Sequence, residues 1–197
     1  MKNIYIVNIM GGLNTSKTKY VLLYGEPDSG KTLFQYQLQS NINLNTEEIK
    51  STYGISYETL SIGDCELGMF DLSGSIKQYD IVKIVTKFVD ISGIIFIVSL
   101  TTLDRIDESK DSLERILGNN FLNNGQCLYI IYNKKDIGDK LDWMDANLLD
   151  NRLGIPKMKK KYKLKSVESQ IVDINKVKAG SLEGLVKFQE ALTDTSN

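Results

Sequence analysis

The sequence of 197 residues contains no histidine, and this absence excludes several kinds of site. Without imidazole there is no Ser-His-Asp triad, no histidine proton shuttle and no histidine-ligated metal centre. Chemistry is left to carboxylates, lysine, hydroxyl groups, backbone amides and hard cations with oxygen ligands. There are only two cysteines, Cys65 and Cys127, and their separation does not match a metal-binding spacing. We therefore expect free thiols in a reducing compartment, and a cytoplasmic protein.

Long hydrophobic runs and an excess of charge are also missing. The longest apolar run, residues 93–100, is far shorter than the roughly 20 residues that a membrane-spanning helix needs. The 24 basic and 25 acidic residues give a net charge of -1, which does not favour a nucleic acid as partner. With 42% hydrophobic and 25% charged residues, the chain has the composition of a globular domain that needs no disulfides or metal.

Strand-like and helix-like segments alternate from Tyr20 onwards, which is typical of an α/β protein. Residues Gly63 and Asp64 form a two-residue hairpin connection, so one strand is antiparallel to its neighbour. The pattern predicts a six-stranded, mostly parallel sheet with one antiparallel edge strand and helices on both faces. The predicted strands are 20–24, 57–62, 65–70, 93–100, 127–132 and 170–174, and the predicted helices cover 33–38, 76–85, 103–117, 144–153 and 181–192.

No repeat or long linker divides the chain, so a single domain is expected. We assign residues 18–192 to this domain, residues 1–17 to a flexible or amphipathic N-terminal extension, and residues 193–197 to a flexible tail. Ligands of such folds bind at the carboxyl ends of the strands. The candidate site therefore lies in the loops that follow Tyr24, Phe70, Leu100, Tyr132 and Ile174.

The first of these loops, residues 25–32 (GEPDSGKT), matches the phosphate-binding pattern G-x-x-x-x-G-K-[ST] between a strand and a helix. In such a loop the backbone amides and the helix N-terminus hold phosphate oxygens, Lys31 supplies positive charge, and the Thr32 hydroxyl binds Mg²⁺. Pro27 removes one amide donor from the loop. An ordinary glycine turn is the alternative interpretation. The predicted nucleotide-binding residues are Gly25, Asp28, Ser29, Gly30, Lys31, Thr32 and Leu33.

The segment 133–136 (NKKD) follows the strand 127–132 and is a candidate base-recognition loop. The Asp136 carboxylate can accept hydrogen bonds from N1–H and the amino group of guanine together, whereas adenine offers no such pair of donors. Asn133 would connect this loop to the phosphate loop, and the aliphatic stem of Lys134 would cover the base. Taken alone, the segment is also compatible with a solvated charged turn. In this position it favours guanine, and it argues against a P-loop kinase that uses ATP.

Further segments resemble the Ras-superfamily small GTPases, and within them a divergent member of the Arf/Arf-like branch. The resemblance covers residues 18–192 and implies the P-loop NTPase (Ras-like) fold, GTP/GDP and Mg²⁺ as ligands, and a monomeric molecular switch in membrane trafficking. The partners it implies are effectors, exchange factors and GTPase-activating proteins, with peripheral contact to the cytosolic face of membranes. The segments are 51–60 (STYGISYETL), 70–75 (FDLSGS), 149–154 (LDNRLG) and 182–185 (LEGL).

The same resemblance implies roles for residues in these segments. Thr52 would bind Mg²⁺ and contact the γ-phosphate through its amide, Asp71 would hold Mg²⁺ through water, and the Gly74 amide would sense the γ-phosphate. Loss of that phosphate would release both loops. The fifth guanine-binding element falls on residues 173–176, where Asn175 and Lys176 would position a backbone amide on the guanine oxygen.

The position after D-x-x-G, where the family carries a glutamine that orients the attacking water, is Ser75. A serine hydroxyl is too short for this task, so we expect very slow intrinsic hydrolysis, supported by Lys31 and Gly74, that depends on a partner. Ser73, which replaces a family glycine, indicates altered geometry of the same loop. The alternative is a GTP-bound binding subunit with negligible hydrolysis, similar to the β subunit of the signal-recognition-particle receptor.

Two further features concern contact with membranes. Residues 10–15 (MGGLNT) match the N-myristoylation pattern, which suggests translation from Met10 and acylation of Gly11, although such short matches also arise by coincidence. Residues 157–165 contain six lysines after Pro156. We interpret them as a solvated loop before the last strand, and the alternative is contact with anionic lipid or an acidic partner.

Overall fold

The computed structural model describes residues 18–39, 55–62, 65–72, 78–120, 122, 125–133, 145–177 and 182–194. These residues form six strands and six α-helices in alternating order. The strands are β1 (Thr18–Tyr24), β2 (Ile55–Ile62), β3 (Cys65–Leu72), β4 (Ile91–Ser99), β5 (Cys127–Asn133) and β6 (Ser166–Val172). The helices are α1 (Lys31–Gln39), α2 (Gln78–Val85), α3 (Ile106–Leu117), α4 (Ala146–Leu153), α5 (Ile155–Lys161) and α6 (Glu183–Thr193). Short 3₁₀ segments cover Leu100–Arg105 and Ile174–Lys176.

The six strands form one sheet in the order β2-β3-β1-β4-β5-β6. Strand β2 lies at one edge and is antiparallel to β3, whereas every other neighbouring pair is parallel. The predicted six-stranded sheet with one antiparallel edge strand is therefore confirmed. Because β1 lies between β3 and β4 and is followed by a helix, the loop after β1 opens at the middle of the sheet's carboxyl edge.

Both faces of the sheet are buried, which explains why the central strands are almost entirely apolar. Alternate residues of each strand point to opposite faces. Leu22 and Ile94 pack on one face with helices α2 to α5, and Val21 and Ile95 pack on the other face with α1 and α6. The helices on both faces were also expected from the sequence.

The last strand differs from the sequence-based prediction. It covers Ser166–Val172 rather than 170–174, and Ile174 begins a 3₁₀ turn. All seven residues of β6 pair with β5, from Ser166 opposite Cys127 to Val172 opposite Asn133. Because β6 is an edge strand with a mostly half-buried polar sequence, its hydrophobic pattern is weak, and pairing with β5 determines where it begins.

The lysine-rich segment was expected to be a loop, and this expectation is wrong for most of it. Residues Ile155–Lys161 form helix α5, with Pro156 in its first turn. Gly154, at a φ of +82°, separates α5 from α4. The buried side chains of Ile155 and Met158 hold one face of α5 against the core. Lysine is a good helix former, so an anchored short helix replaces the expected loop.

At the C-terminal end, α6 continues to Thr193, one residue into the segment that the sequence assigns to a tail. Residues 1–17, including Met10 and Gly11, lie outside the described residues. Within the part of the chain that is described, no helix combines the length and apolar character required to cross a bilayer.

Candidate nucleotide site

The phosphate loop connects the end of β1 to the start of α1, and its backbone conformation depends on two glycines. Gly25 has a φ of +144°, and a Cβ at this position would lie 2.3 Å from the Ile97 carbonyl oxygen of β4. Gly30 has a φ of +102°, and its Cβ would lie 2.4 Å from Asn133 Nδ2. Asp28 also has a positive φ, +59°. The loop is therefore tightly curved and packs closely against β4 and the end of β5.

Lys31 begins α1, and its ammonium group is held inside the phosphate loop. Its Nζ donates to the Gly25 carbonyl at 2.9 Å, to the Glu26 carbonyl at 2.7 Å and to Ser29 Oγ at 3.4 Å. Burial lowers the pKa of Lys31 to about 8, although Asp71, Glu26 and Asp28 act in the opposite direction. The loop thus presents a fixed, desolvated cation at its centre, while the next residues, Thr32 and Leu33, are partly buried.

Thr32 and Asp71 meet where α1 begins and β3 ends. Thr32 Oγ1 donates to Asp71 Oδ2 at 2.7 Å, and Asp71 is fully buried. A hydroxyl and a carboxylate are the hard oxygen donors that Mg²⁺ prefers, so this pair fits the predicted cation site. Among the described residues no group of three or more cysteine, aspartate or glutamate side chains could hold a metal. Thr32 and Asp71 alone do not fill the six coordination positions of Mg²⁺, so a cation here would need further oxygen ligands.

Asn133, at the end of β5, connects the phosphate loop to the turn after β6 through one side chain. Its Nδ2 donates to the Ser29 carbonyl of the phosphate loop at 2.8 Å. Its Oδ1 accepts from the Ile174 amide, in the turn after β6, at 3.1 Å. Asn133 is 3% exposed, so both hydrogen bonds are shielded from water. The contact to the phosphate loop that the sequence predicts is thus present, and it extends to the loop after β6.

The turn after β6 contains the predicted fifth guanine-binding element. Asp173 accepts from the Asn175 amide at 3.1 Å and pairs with Lys176 Nζ at 2.8 Å. The Lys176 amide donates to the Asp173 carbonyl at 2.9 Å. Burial of Asp173 opposes ionisation, but the bonds from Lys176 and Asn175 outweigh it, so the pKa of Asp173 is lowered. Both candidate amides are used inside the turn, and a guanine oxygen would have to share or replace one of these bonds.

Several predicted site residues lie outside the described part of the chain. They are Thr52 in the first switch segment, Gly74 and Ser75 in the second, and Lys134 and Asp136 after β5. Their roles stay predictions. The described carboxyl ends of β3 and β5 nevertheless place the start of two of these segments beside the phosphate loop, since Asp71 contacts Thr32 and Asn133 contacts Ser29.

Sequence reasoning missed two parts of this arrangement. The Ile174 amide is a partner of Asn133, but an apolar residue in a loop gives no signal of a site. The close approach of Gly25 to Ile97 was also missed, because it depends on how β1 and β4 pair. The turn formed by Asp173 could have been predicted, since aspartate side chains in loops commonly accept from the backbone amide two residues later.

A glycine-rich loop after the first strand, a lysine inside it, and the carboxyl ends of β3, β5 and β6 beside it define a P-loop protein with the Ras-like fold. The whole sequence agrees with this class, since residues 6–195 match the model of the ADP-ribosylation factor (Arf) family. The chain belongs to this family, and it is an Arf-like member of the Ras-superfamily small GTPases.

Curated relatives match the chain at low identity over part of its length. ADP-ribosylation factor-related protein 1 from Rattus norvegicus and from Homo sapiens are each 27% identical to the chain, and the Bos taurus protein is 28% identical. Each match covers 59% of this chain, and the chain spans only 59% of the length of each of these relatives.

Two solved structures share the fold. The Arl6 BBS3 small GTPase from Trypanosoma brucei, determined with the bound nucleotide analogue GppNp, superposes with a TM-score of 0.70 at 18% identity, covering 91% of this chain and 99% of that one. The structure of the mammalian SRP receptor superposes with a TM-score of 0.67 at 19% identity, covering 86% of this chain and 100% of that one. At these identities the similarity concerns the fold alone.

Proposed function

We propose that this protein is an Arf-like guanine-nucleotide switch that binds GTP and GDP with Mg²⁺. The observation that carries the proposal is the Asn133 side chain, which joins the phosphate loop to the turn after β6 at the end of the strand that leads into Lys134 and Asp136. The phosphate loop and the start of the base-recognition segment therefore lie side by side. A nucleotide with its phosphates in the loop would extend its base towards Asp136.

In this proposal the cation is bound by Thr32, with Asp71 acting through water and Thr52 joining when GTP is present. The 2.7 Å contact between Thr32 and Asp71 supports this assignment, because it orients the hydroxyl beside a carboxylate. Mg²⁺ would neutralise charge on the phosphates. Lys31, held by carbonyl oxygens of its own loop, supplies a second positive charge without needing to move into place.

The switch itself rests on the segments 51–60 and 70–75. Thr52 and the Gly74 amide would contact the γ-phosphate, so GTP orders both segments and GDP releases them. Effectors, exchange factors and activating proteins would bind these segments. The protein would act as a monomer, and its nucleotide-dependent binding of effectors would serve membrane trafficking.

Hydrolysis is proposed to be very slow without a partner. Phosphoryl transfer depends on positioning the water and stabilising charge, and Ser75 is too short to position the water as a glutamine does. An activating protein that supplies an arginine in trans would raise the rate by about 10³ to 10⁵. Ser75 equally favours a second candidate, a subunit that stays loaded with GTP and serves as a binding scaffold.

The experiment that tests the proposal is to identify the nucleotide that copurifies with the full chain and to follow its hydrolysis. We expect GDP or GTP, very slow turnover alone, and faster turnover with cell extract. Turnover that extract does not change would favour the GTP-loaded scaffold. Copurified ATP, or ATP that competes as well as GTP, would overturn the guanine assignment and favour a P-loop kinase.

Base specificity can be tested with Asp136→Asn. Because the amide replaces one carboxylate oxygen with a donor, this variant should bind GTP more weakly and xanthosine triphosphate more tightly. Asp139→Asn removes the same charge three residues later and serves as the control, which should keep GTP preference. Unchanged GTP affinity in Asp136→Asn would contradict the role assigned to this carboxylate.

A further inference from the structure

The structure contains a dense basic surface far from the candidate nucleotide site. We define the basic surface as the exposed lysines of α5 and the turn that follows it. Lys157, Lys160 and Lys161 are three and four positions apart and therefore share one face of the helix. The members of the basic surface are Lys157, Lys159, Lys160, Lys161 and Lys163, and all five are exposed.

The lysines face solvent because the opposite side of the segment is anchored in the core. Ile155 and Met158 of α5 and Leu164 beyond it are buried. Tyr162 is half-buried and donates from its hydroxyl to the Glu114 carbonyl of α3 at 3.5 Å. The core contacts thus hold the segment in place, and the lysine side chains project from a fixed backbone.

The positive charge of this surface is mostly uncompensated. The sequence contains no acidic residue between Asp150 and Glu168. Among the described residues, Lys161 forms an ion pair with Glu114 at 3.3 Å, and the other four lysines of the basic surface form no salt bridge. In a protein with a net charge of -1, this is a strong local concentration of one sign.

The basic surface lies towards the edge of the sheet opposite the nucleotide site. The Lys165 amide donates to the Gln126 carbonyl at 3.0 Å, immediately before β5 and β6 begin. Those parallel strands run from this edge to Asn133 and Val172 at the other. Lys19 and Lys165 also line a cavity of about 240 Å³ at this edge. A partner bound here would leave the phosphate loop and the switch segments accessible.

The chemistry of the surface indicates an anionic bilayer as its partner. Recognition of single phosphates or nucleic acids commonly uses the planar, bidentate guanidinium of arginine, and residues 155–165 contain no arginine. Lysines act as mobile point charges, which suits a fluid array of lipid headgroups. The chain also enters β1 at Thr18 at this edge, after a segment whose residues 4–10 (IYIVNIM) are strongly apolar.

We propose that the basic surface docks the protein on a bilayer containing anionic lipid, with the nucleotide edge turned away from it. Each lysine close to such a bilayer contributes about a fivefold increase in binding, and the contribution is screened by salt. The assignment rests on charge and placement at the amino-terminal edge, and it does not depend on which nucleotide the protein binds.

The test is cosedimentation of the full chain with vesicles of phosphatidylcholine alone or with two parts phosphatidylcholine to one part phosphatidylserine. We expect binding only to the phosphatidylserine vesicles, weakening as salt is raised. The double variant Lys157→Gln/Lys160→Gln should lose about 25-fold in partition coefficient, from about fivefold for each lysine. The control Lys83→Gln/Lys187→Gln removes two exposed lysines, one from α2 and one from α6, and should bind like wild type.

Four results would overturn the proposal. They are no binding to vesicles that contain phosphatidylserine, equal loss in the two double variants, equal binding to vesicles with and without phosphatidylserine, and tighter binding of an RNA duplex than of vesicles at the same salt. The unfolding midpoint and nucleotide affinity of each variant are measured alongside, and both should be unchanged. Failure to bind vesicles with intact nucleotide binding would refute the docking surface alone.

Discussion

At the scale of single residues, Asn133 joins the phosphate loop to the turn after β6. The site requires one donor, for the Ser29 carbonyl, and one acceptor, for the Ile174 amide, at the end of one short side chain. Asparagine provides both, whereas aspartate lacks the donor and alanine lacks both. This requirement explains the residue type without reference to any bound ligand.

We predict that Asn133→Ala lowers the free energy of unfolding by about 1–3 kcal/mol, because the Ile174 amide and the Ser29 carbonyl lose their partner in a buried place. Urea unfolding of the variant and the wild type measures this difference. Asn175→Ala, at an exposed position in the same turn, is the control and should change stability by less than about 0.5 kcal/mol. Equal stability of Asn133→Ala and wild type would show that the bridge does not hold the loops.

A pair of glycines separates the effect of backbone strain from that of close packing. Gly30 and Gly125 both have a positive φ, of +102° and +85° respectively. A Cβ at Gly30 would lie 2.4 Å from Asn133 Nδ2, whereas a Cβ at Gly125 would have no atom within 4 Å. We predict that Gly125→Ala costs about 1–2 kcal/mol from strain alone. Gly30→Ala should cost more and should also abolish nucleotide binding. Thermal unfolding and a fluorescent-nucleotide titration measure both effects, and equal behaviour of the two variants would contradict the prediction.

At the scale of elements, a polar contact attaches α4 to the sheet. Asp150 of α4 accepts from the Tyr132 hydroxyl of β5 at 2.7 Å and from Ser169 Oγ of β6 at 2.6 Å. Tyr132 is fully buried, so its hydroxyl depends on this carboxylate. One side chain therefore positions a helix against two strands, and through α4 it supports the start of α5.

The same contact predicts a dependence of stability on pH. Burial raises the pKa of Asp150 above its ordinary value of 3.8, although the bonds from Ser169 and Tyr132 act in the opposite direction. Between 3.8 and the higher pKa, the folded protein keeps a proton that the unfolded chain has lost. The contribution of this carboxyl to stability is therefore largest below that interval and falls as pH rises through it.

The variant Asp150→Asn has no carboxyl group to titrate. The stability of wild type relative to this variant should therefore decrease as pH rises from 3.8 through the raised pKa of Asp150, and stay constant above that pKa. Urea unfolding of both proteins over a pH series measures the difference. A constant difference would show that Asp150 titrates normally. Asp150→Ala, which leaves the Tyr132 hydroxyl without its acceptor, should lose about 1–3 kcal/mol at neutral pH.

At the scale of the whole molecule, the sheet separates two functional edges. The carboxyl ends of the strands carry the candidate nucleotide site, and the amino-terminal edge lies beside the basic surface. The two arrays of helices cover the faces between them with apolar side chains. The two edges are therefore separated by the length of the strands, and a partner at one edge does not cover the other.

Ligand binding to the folded state alone should stabilise the entire molecule. A guanine nucleotide with Mg²⁺ at 100 times its dissociation constant should add about 2.7 kcal/mol, which for a chain of this length raises the unfolding midpoint by roughly 5–10 °C. ATP at the same concentration should give a much smaller shift, and removal of Mg²⁺ should reduce the guanine effect. Differential scanning calorimetry measures these shifts, and an equal shift with ATP would contradict guanine selectivity.

Much of the fold and site follows from local patterns in the sequence. The loop at residues 25–32, the segment at 133–136 and the alternation of strands and helices are all short-range features, so each could be recognised without knowing what packs against it. Strands β4 and β5 were equally easy to predict, because strands that are buried on both faces are continuously apolar in sequence. The edge strand β6 and the short helix α5 were mistaken because their hydrophobic patterns are weak.

The sequence by itself thus determined the class of fold and the position of the candidate phosphate-binding and base-recognition segments, since these depend on residues adjacent in the chain. Only the tertiary structure decided that Asn133 bridges Ser29 to Ile174, that Thr32 meets Asp71 and that the lysines of α5 lie away from the nucleotide edge. These contacts join residues that are far apart in sequence. Strand order and the burial of one helix face bring them together, and no local pattern specifies that arrangement.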